Sequence, residues 1–311
     1  MKAATSLSYA ERAPAAPVPV HVIGASGRSG RALCGALLAA GTEPLPVVRD
    51  AARWAAAAIA RPARIADLTD PAALRAALAD ARRVVSCAHA RHVPAILAAA
   101  PPDARFVFLG STRKFTRWPD AHAAGVIAGE RAFLDSGRPG LMLHPSMIYG
   151  ADGEDNVQRL AALLARLKPR RGPLVPLPGG GRVLAQPIFQ DDVTRAIRAA
   201  LAIAWDGPHS LVIAGPEPVA YADFVRAVAA AAGLAPPRIV AVPAAPLRAL
   251  APLTRLLPGL PTIRRAELRR LSEDKPFDIG PMRRILGIAP IPLAEGLART
   301  FAASRSSHAR P

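Results

Sequence analysis

Val20-His21-Val22-Ile23-Gly24-Ala25-Ser26-Gly27-Arg28-Ser29-Gly30-Arg31-Ala32-Leu33 is the stretch on which the fold turns. A short apolar run ends in a glycine-rich turn and a helical pattern follows at once: strand, phosphate loop, helix. Gly24, Gly27 and Gly30 stand in G-x-x-G-x-x-G spacing. Gly24 permits a tight turn out of the strand, Gly27 lets a pyrophosphate approach the backbone, and Gly30 lets the helix pack closely on the sheet. The amides of Ser26, Gly27, Arg28 and Ser29 then face an anion, with the helix dipole helping.

Outward from that loop the pattern repeats. Pro46–Asp50, Arg64–Leu68, Val84–Ala88, Arg105–Gly110 and Leu141–Pro145 read as strands, with helices predicted over 51–60, from Pro71, over 94–100 and over 123–136. Asp70 ahead of Pro71 is a helix start, and Gly137 a helix stop. Strands alternating with helices predict an α/β fold of Rossmann type, a parallel sheet wound on both faces. Beyond it, 172–181 reads as a Pro/Gly loop. Asp191-Asp192 reads as the cap of a helix running to Ala204, and 210–214 as a seventh strand. A further helix is read over 221–232. The expected division is a loose tail at 1–17, a dinucleotide-binding domain at 18–168 with its sheet completed by about 186–215, and a smaller substrate lobe from 169–185 and 216–311.

Composition narrows the function classes. The 311-residue chain carries a net charge of +17, almost all of it arginine scattered among alanines. Attraction to small anionic ligands fits this better than nucleic-acid reading, which needs clustered basic residues and stacking aromatics. Lys168-Pro169-Arg170-Arg171 is the nearest cluster and it is short. Cys34 and Cys87 lie in apolar elements and read as buried thiols, so the expected setting is cytoplasmic. His89 and His92 lack an acidic or cysteine partner at ligand spacing, and no metal site is expected. No apolar run reaches the ~20 residues of a membrane helix. Pro243 to Pro261 reads as a lobe over a substrate pocket rather than a membrane-surface patch, since its prolines break any long amphipathic helix.

Four segments in order carry a family resemblance: Gly24–Gly30, Asp67-Leu68-Thr69-Asp70, Pro145–Gly150 and Gln186–Val193. With 271–278 and 283–288 they resemble the extended and atypical short-chain dehydrogenase/reductases, the NAD-dependent epimerase/dehydratase group. The resemblance implies a nicotinamide dinucleotide across the C-terminal edge of the sheet and a small-molecule substrate beside it. Asp67 and Leu68 would border the adenine, Ala88 and His89 would lie along the dinucleotide, and Pro145 would lie near the nicotinamide.

The chain departs from that family where the chemistry lies. Ser111 stands where the family's Ser or Thr is expected, but no Tyr-x-x-x-Lys occurs anywhere. Counting back from Gly129–Gly137 puts His122 at the Tyr position and Val126 at the Lys position. Three readings follow: an oxidoreductase or epimerase/dehydratase using His122 or Tyr149 with Ser111, a cofactor-binding sensor like the NmrA-type regulators, or an assembly subunit. The cofactor is read as NADP, with NAD the alternative. Arg28 and Arg49 converge from separate elements on the 2′-phosphate position, whereas Asp50 one residue on would suit a ribose hydroxyl.

Overall fold

In the computed structural model the described residues are 18–150, 156–167, 172–243, 245 and 273–308. The fully buried run Val20–Ile23 forms β1, and α1 (Arg28–Ala39) follows the glycine turn. The chain continues through β2 (Pro44–Val48), α2 (Ala51–Ala55), β3 (Arg64–Ile65), α3 (Pro71–Leu78), β4 (Arg83–Ser86), α4 (Val93–Ala99), β5 (Arg105–Leu109), α5 (Ala121–Asp135) and β6 (Gly140–Pro145). Next come β7 (Ile148–Tyr149), α6 (Asn156–Arg166), β8 (Leu174–Pro178), β9 (Leu184–Ala185), β10 (Ile188–Phe189), α7 (Gln190–Ala202) and β11 (Pro208–Ile213). The last described elements are β12 (Val219–Ala220), α8 (Tyr221–Ala231), β13 (Arg238–Val242), α9 (Gly280–Leu286) and α10 (Leu293–His308).

Seven strands form one parallel sheet in the order β11-β6-β5-β4-β1-β2-β3. The direction of winding reverses between β1 and β4, which opens a crevice at the carboxyl ends of those strands. Strand alternation supplies two cores. Val20, Val22, Val85, Val107 and Leu143 meet α1, α7 and α9 on one face. Phe106, Phe108 and Met142 meet α3, α4 and α5 on the other. A third apolar cluster joins Tyr149 and Phe189 to Val157 of α6, Phe224 of α8 and Leu297 of α10, a separate smaller core.

Several local readings are corrected. β2 ends at Val48, because Asp50 leaves the strand to cap α2 by accepting from the Arg53 amide at 3.0 Å. β3 is only two residues long, since Asp67 closes a turn onto the Thr69 amide and hydroxyl. Residues 172–181 are not a plain loop: Leu174–Pro178 pairs in parallel with β13, and Gly179–Gly181 makes a 3-10 turn. Phe189, not the Asp pair, is the cap position of α7. Asp192 is instead fully buried, bonded to Arg195 and accepting from the Ile291 amide. Residues 168–171 and most of 243–261 lie outside the described residues.

Candidate functional site

The glycine loop has the geometry its spacing demands. Gly24 has φ +74, a left-handed conformation that favours glycine, and its carbonyl accepts from the Gly27 amide at 2.9 Å. A Cβ on Gly30 would stand 2.3 Å from the Gly24 carbonyl oxygen, so the helix can lie this close only without a side chain. Gly27 occupies the cap position of α1 and provides no side-chain acceptor. Aspartates 50, 70 and 120 cap α2, α3 and α5 from within. The 12-residue α1 therefore presents its first amides at the crevice, a cradle that fits a pyrophosphate. Ser29 is engaged elsewhere, its hydroxyl donating to Gln190 Oε1 at 3.0 Å.

Residues expected near the adenosine gather at the ends of β2 and β3. Arg49, exposed, is the first residue past β2. The Asp67 carboxylate is spent on Thr69, which holds its pKa below the ordinary range, with Arg49 and His92 adding smaller pulls. Leu68 packs half-buried against the core under α3. Arg28 opens α1, half-buried beside the loop.

Past β4 and β5 the structure joins two residues that the sequence left separate. His89 caps a 3-10 turn (Ala90–His92) by accepting the Arg91 amide on Nδ1, and its Nε2 lies 3.0 Å from Nδ1 of His122. The two rings meet edge to face, 4.4 Å apart. What permits this is the close approach of α5 to the turn. A Cβ on Gly129 would be 2.0 Å from the Ala90 carbonyl, and one on Gly125 would be 2.8 Å from the His89 ring. Val126, one turn on from His122, is buried in the core below.

Ser111 ends the β5 edge, half-buried, its hydroxyl capping a second 3-10 turn (Thr112–Phe115) through the Arg113 amide. Its own amide donates to Nδ1 of His144 at 3.2 Å, so His144 carries its proton on Nε2 and donates to Glu130. Glu130 also accepts from Lys114 Nζ and the Ser210 hydroxyl. His144 is fully buried, and desolvation, with Lys114 nearby, lowers its pKa to about 4. Gly110 leaves the space: a Cβ there would meet the His144 ring at 2.4 Å. Nothing in the spacing of Lys114, Glu130, His144 and Ser210 announced this cluster. A histidine inside an otherwise apolar β6 was its one signal.

Pro145, buried, closes β6, and its carbonyl accepts from Thr112, tying the two loops together. A cleft of about 340 Å³ opens beside Thr112, lined also by Phe115, Arg117, Val212 and residues 273–278. Tyr149 points elsewhere. It is buried in the third apolar cluster, its hydroxyl where a Cβ on Gly296 would be 2.1 Å away, and burial raises its pKa well above the ordinary tyrosine value. The catalytic expectation for Tyr149 does not suit this placement. Among the described residues no group of three or more His, Cys, Asp or Glu could hold a metal ion, and no helix is long and apolar enough to cross a membrane.

Residues 24–123 match a family described as NAD(P)H-binding. No curated protein matches the chain in sequence. Solved structures match its fold over almost its full length. The NADPH-dependent quinone oxidoreductase of Escherichia coli, complexed with NADPH, aligns at TM-score 0.69 and 18% identity, covering 91% of this chain and 99% of that one. A short-chain dehydrogenase/reductase superfamily protein of Agrobacterium tumefaciens with bound NAD aligns at 0.68 and 16%, covering 94% and 98%. By fold the chain is similar to these nicotinamide-dinucleotide-binding proteins. The UDP-glucose 4-epimerase of Thermotoga maritima, solved with UDP-glucose, shares that fold at 0.69 and 14%, covering 94% and 100%. The glycine cradle, Ala88-His89, Ser111 and Pro145 all lie at or just past the carboxyl ends of their sheet strands, and His122 is in the second position of α5.

Proposed function

We propose that the chain is an NADP(H)-dependent oxidoreductase of small carbonyl compounds, with Ser111 and His122 facing the substrate oxygen. The observation that supports this most is His122. It stands where the family's acid/base tyrosine is expected and bonds to His89 of the turn that follows β4. When bound, the dinucleotide would supply the hydride. Residues 26–29 would hold its pyrophosphate, Asp67 and Leu68 would flank the adenine, and Ala88, His89 and Pro145 would lie along the nicotinamide half. The cleft beside Thr112 would admit the substrate, with residues 18–168 and the sheet-completing 186–215 as the nucleotide domain, and 169–185 with 216–311 as the substrate lobe.

The preference for NADP rests on charge. Arg49 is the side chain at the end of β2, and Arg28 stands at the start of α1. The residue that would oppose a 2′-phosphate, Asp50, has its carboxylate turned to the α2 amides. Two guanidiniums can grip a phosphate with charge-assisted bonds of about 1.5–3 kcal/mol each.

One observation favours a second reading, a cofactor-binding sensor without turnover: Val126 leaves no cation at the family's lysine position. Titration with NADPH and NADH, followed by NADPH oxidation over a panel of quinones, ketones and UDP-sugars, separates the two. Tight NADPH binding with turnover supports the oxidoreductase. Tight binding with no turnover across the panel selects the sensor, and equal or tighter NADH binding overturns the cofactor choice.

A further inference from the structure

Two histidines bonded through one nitrogen each can arrange their protons in only a few ways. The Arg91 amide donates to His89 Nδ1, which must therefore be unprotonated, so neutral His89 carries its proton on Nε2. That proton faces His122 Nδ1 at 3.0 Å, which must then accept. His122 is left with its own proton on Nε2. Protonating either ring further would set N–H against N–H across the pair, or break the cap on the turn at Ala90–His92.

Resting on the oxidoreductase reading above, we propose that His89 is a positioning residue that locks His122 as a neutral imidazole with its proton on Nε2. His122 then serves as a fixed hydrogen-bond donor to the substrate oxygen and not as a proton reservoir. A neutral imidazole held in one tautomer can polarise a carbonyl as an electrophile. Hydride addition at the carbonyl carbon would turn the C=O π pair into an alkoxide lone pair. Ser111 Oγ and His122 Nε2–H would bond that alkoxide, and water would supply the proton that completes the alcohol.

The surroundings agree with a pair that stays uncharged. Burial above all, with the charges of Arg91 on its own turn and Arg113 on the loop after β5, holds the proton affinity of His89 down. The nearby carboxylate, Asp120, is committed to Arg113 and to the Ala123 amide that it caps. Gly125 and Gly129 fix the separation, because any side chain at either would drive α5 off the turn.

The test is ring-nitrogen NMR on the full chain labelled with ¹⁵N-histidine, between about pH 5 and pH 8. A His122→Gln variant assigns that ring's signals among the seven histidines. The expected result is a His122 with acceptor-type Nδ1 and protonated Nε2, favoured at least about tenfold near pH 7. In His89→Phe, which keeps a ring but no nitrogen, His122 should show mixed tautomers. Its turnover should fall by about tenfold or more and acquire an acid limb. A wild-type His122 protonated on Nδ1, or already imidazolium at pH 7, overturns the proposal, and that spectrum decides even if the variant does not fold. If the lock is seen but no carbonyl is reduced, the oxidoreductase reading falls and the lock stands.

Discussion

Replacing His144 with glutamine should change how the protein responds to acid more than how stable it is near neutrality. His144 is fully buried between β6 and α5, accepting the Ser111 amide and donating to Glu130. Burial holds its folded-state pKa at about 4, below the value of about 6.5 expected for an unfolded chain. The folded state thus binds this proton less readily than the unfolded one. The ring imposes no penalty above about pH 6.5, and stability is lost as pH falls from there toward 4. Linkage gives a loss of about 2 kcal/mol between pH 7 and about pH 4.5, a large share of a typical folding free energy. Glutamine can offer an acceptor and a donor along the same side chain without titrating. Urea unfolding of wild type and His144→Gln at both pH values measures the difference of differences. The variant should lose about 2 kcal/mol less than wild type on acidification. Equal losses would refute the reasoning, since His144 would then be charging freely in the fold.

Three further outcomes follow from the site. Gly27→Asp should abolish dinucleotide binding by calorimetry while stability stays within about 1 kcal/mol. An aspartate at this extended cap position (φ −77, ψ 171) caps α1, with its Cβ 3.1 Å from the Gly24 carbonyl, and puts a carboxylate where phosphate would sit. Gly129→Ala should cost about 1–3 kcal/mol in denaturant midpoint, because its Cβ would fall 2.0 Å from the Ala90 carbonyl and both partners are backbone-supported. Ser111→Ala should lower turnover by about 10²-fold with little change in stability, whereas unaltered turnover would reduce Ser111 to the cap of its 3-10 turn.

The central sheet was legible because its signals are local and redundant. Element ends are marked by residues with a known job: Gly24 closes β1, Asp70 ahead of Pro71 opens α3, and Gly137 and Gly233 follow the ends of α5 and α8. Boundaries slipped where a polar side chain had a second use. Asp50 looked like the tail of a strand but works as a cap, and Asp67 looked like part of the next strand but closes a turn. The 172–181 segment misled for another reason: its pairing partner, β13, lies more than 60 residues on, and prolines in a peripheral two-stranded pair resemble loop residues.

The site was legible in its cradle and only half legible in its chemistry. Glycine spacing reports backbone geometry directly, so Gly24, Gly27 and Gly30 carried their meaning in one dimension. His122 could be found only by its offset along α5, and its partner could not be found at all, because His89 sits 33 residues earlier on another element. Yet the sequence does hold a trace of the pairing. Gly125 and Gly129 are poor helix residues inside α5, each costing about 1 kcal/mol relative to alanine. A helix that carries two of them on one stripe trades intrinsic stability for contact, and the contact here is with the turn that bears His89. Val126, one turn further along α5 from His122, belongs to the same arrangement. Buried against the core below, position 126 cannot hold an unpaired ammonium. Without that cation to depress a phenol's pKa, a tyrosine at 122 would stay protonated and a poor acid–base partner near neutrality. An imidazole held neutral by a neighbouring ring needs no cation, so histidine at 122 and valine at 126 form one consistent solution to hydrogen-bonding an oxygen at this edge of the sheet.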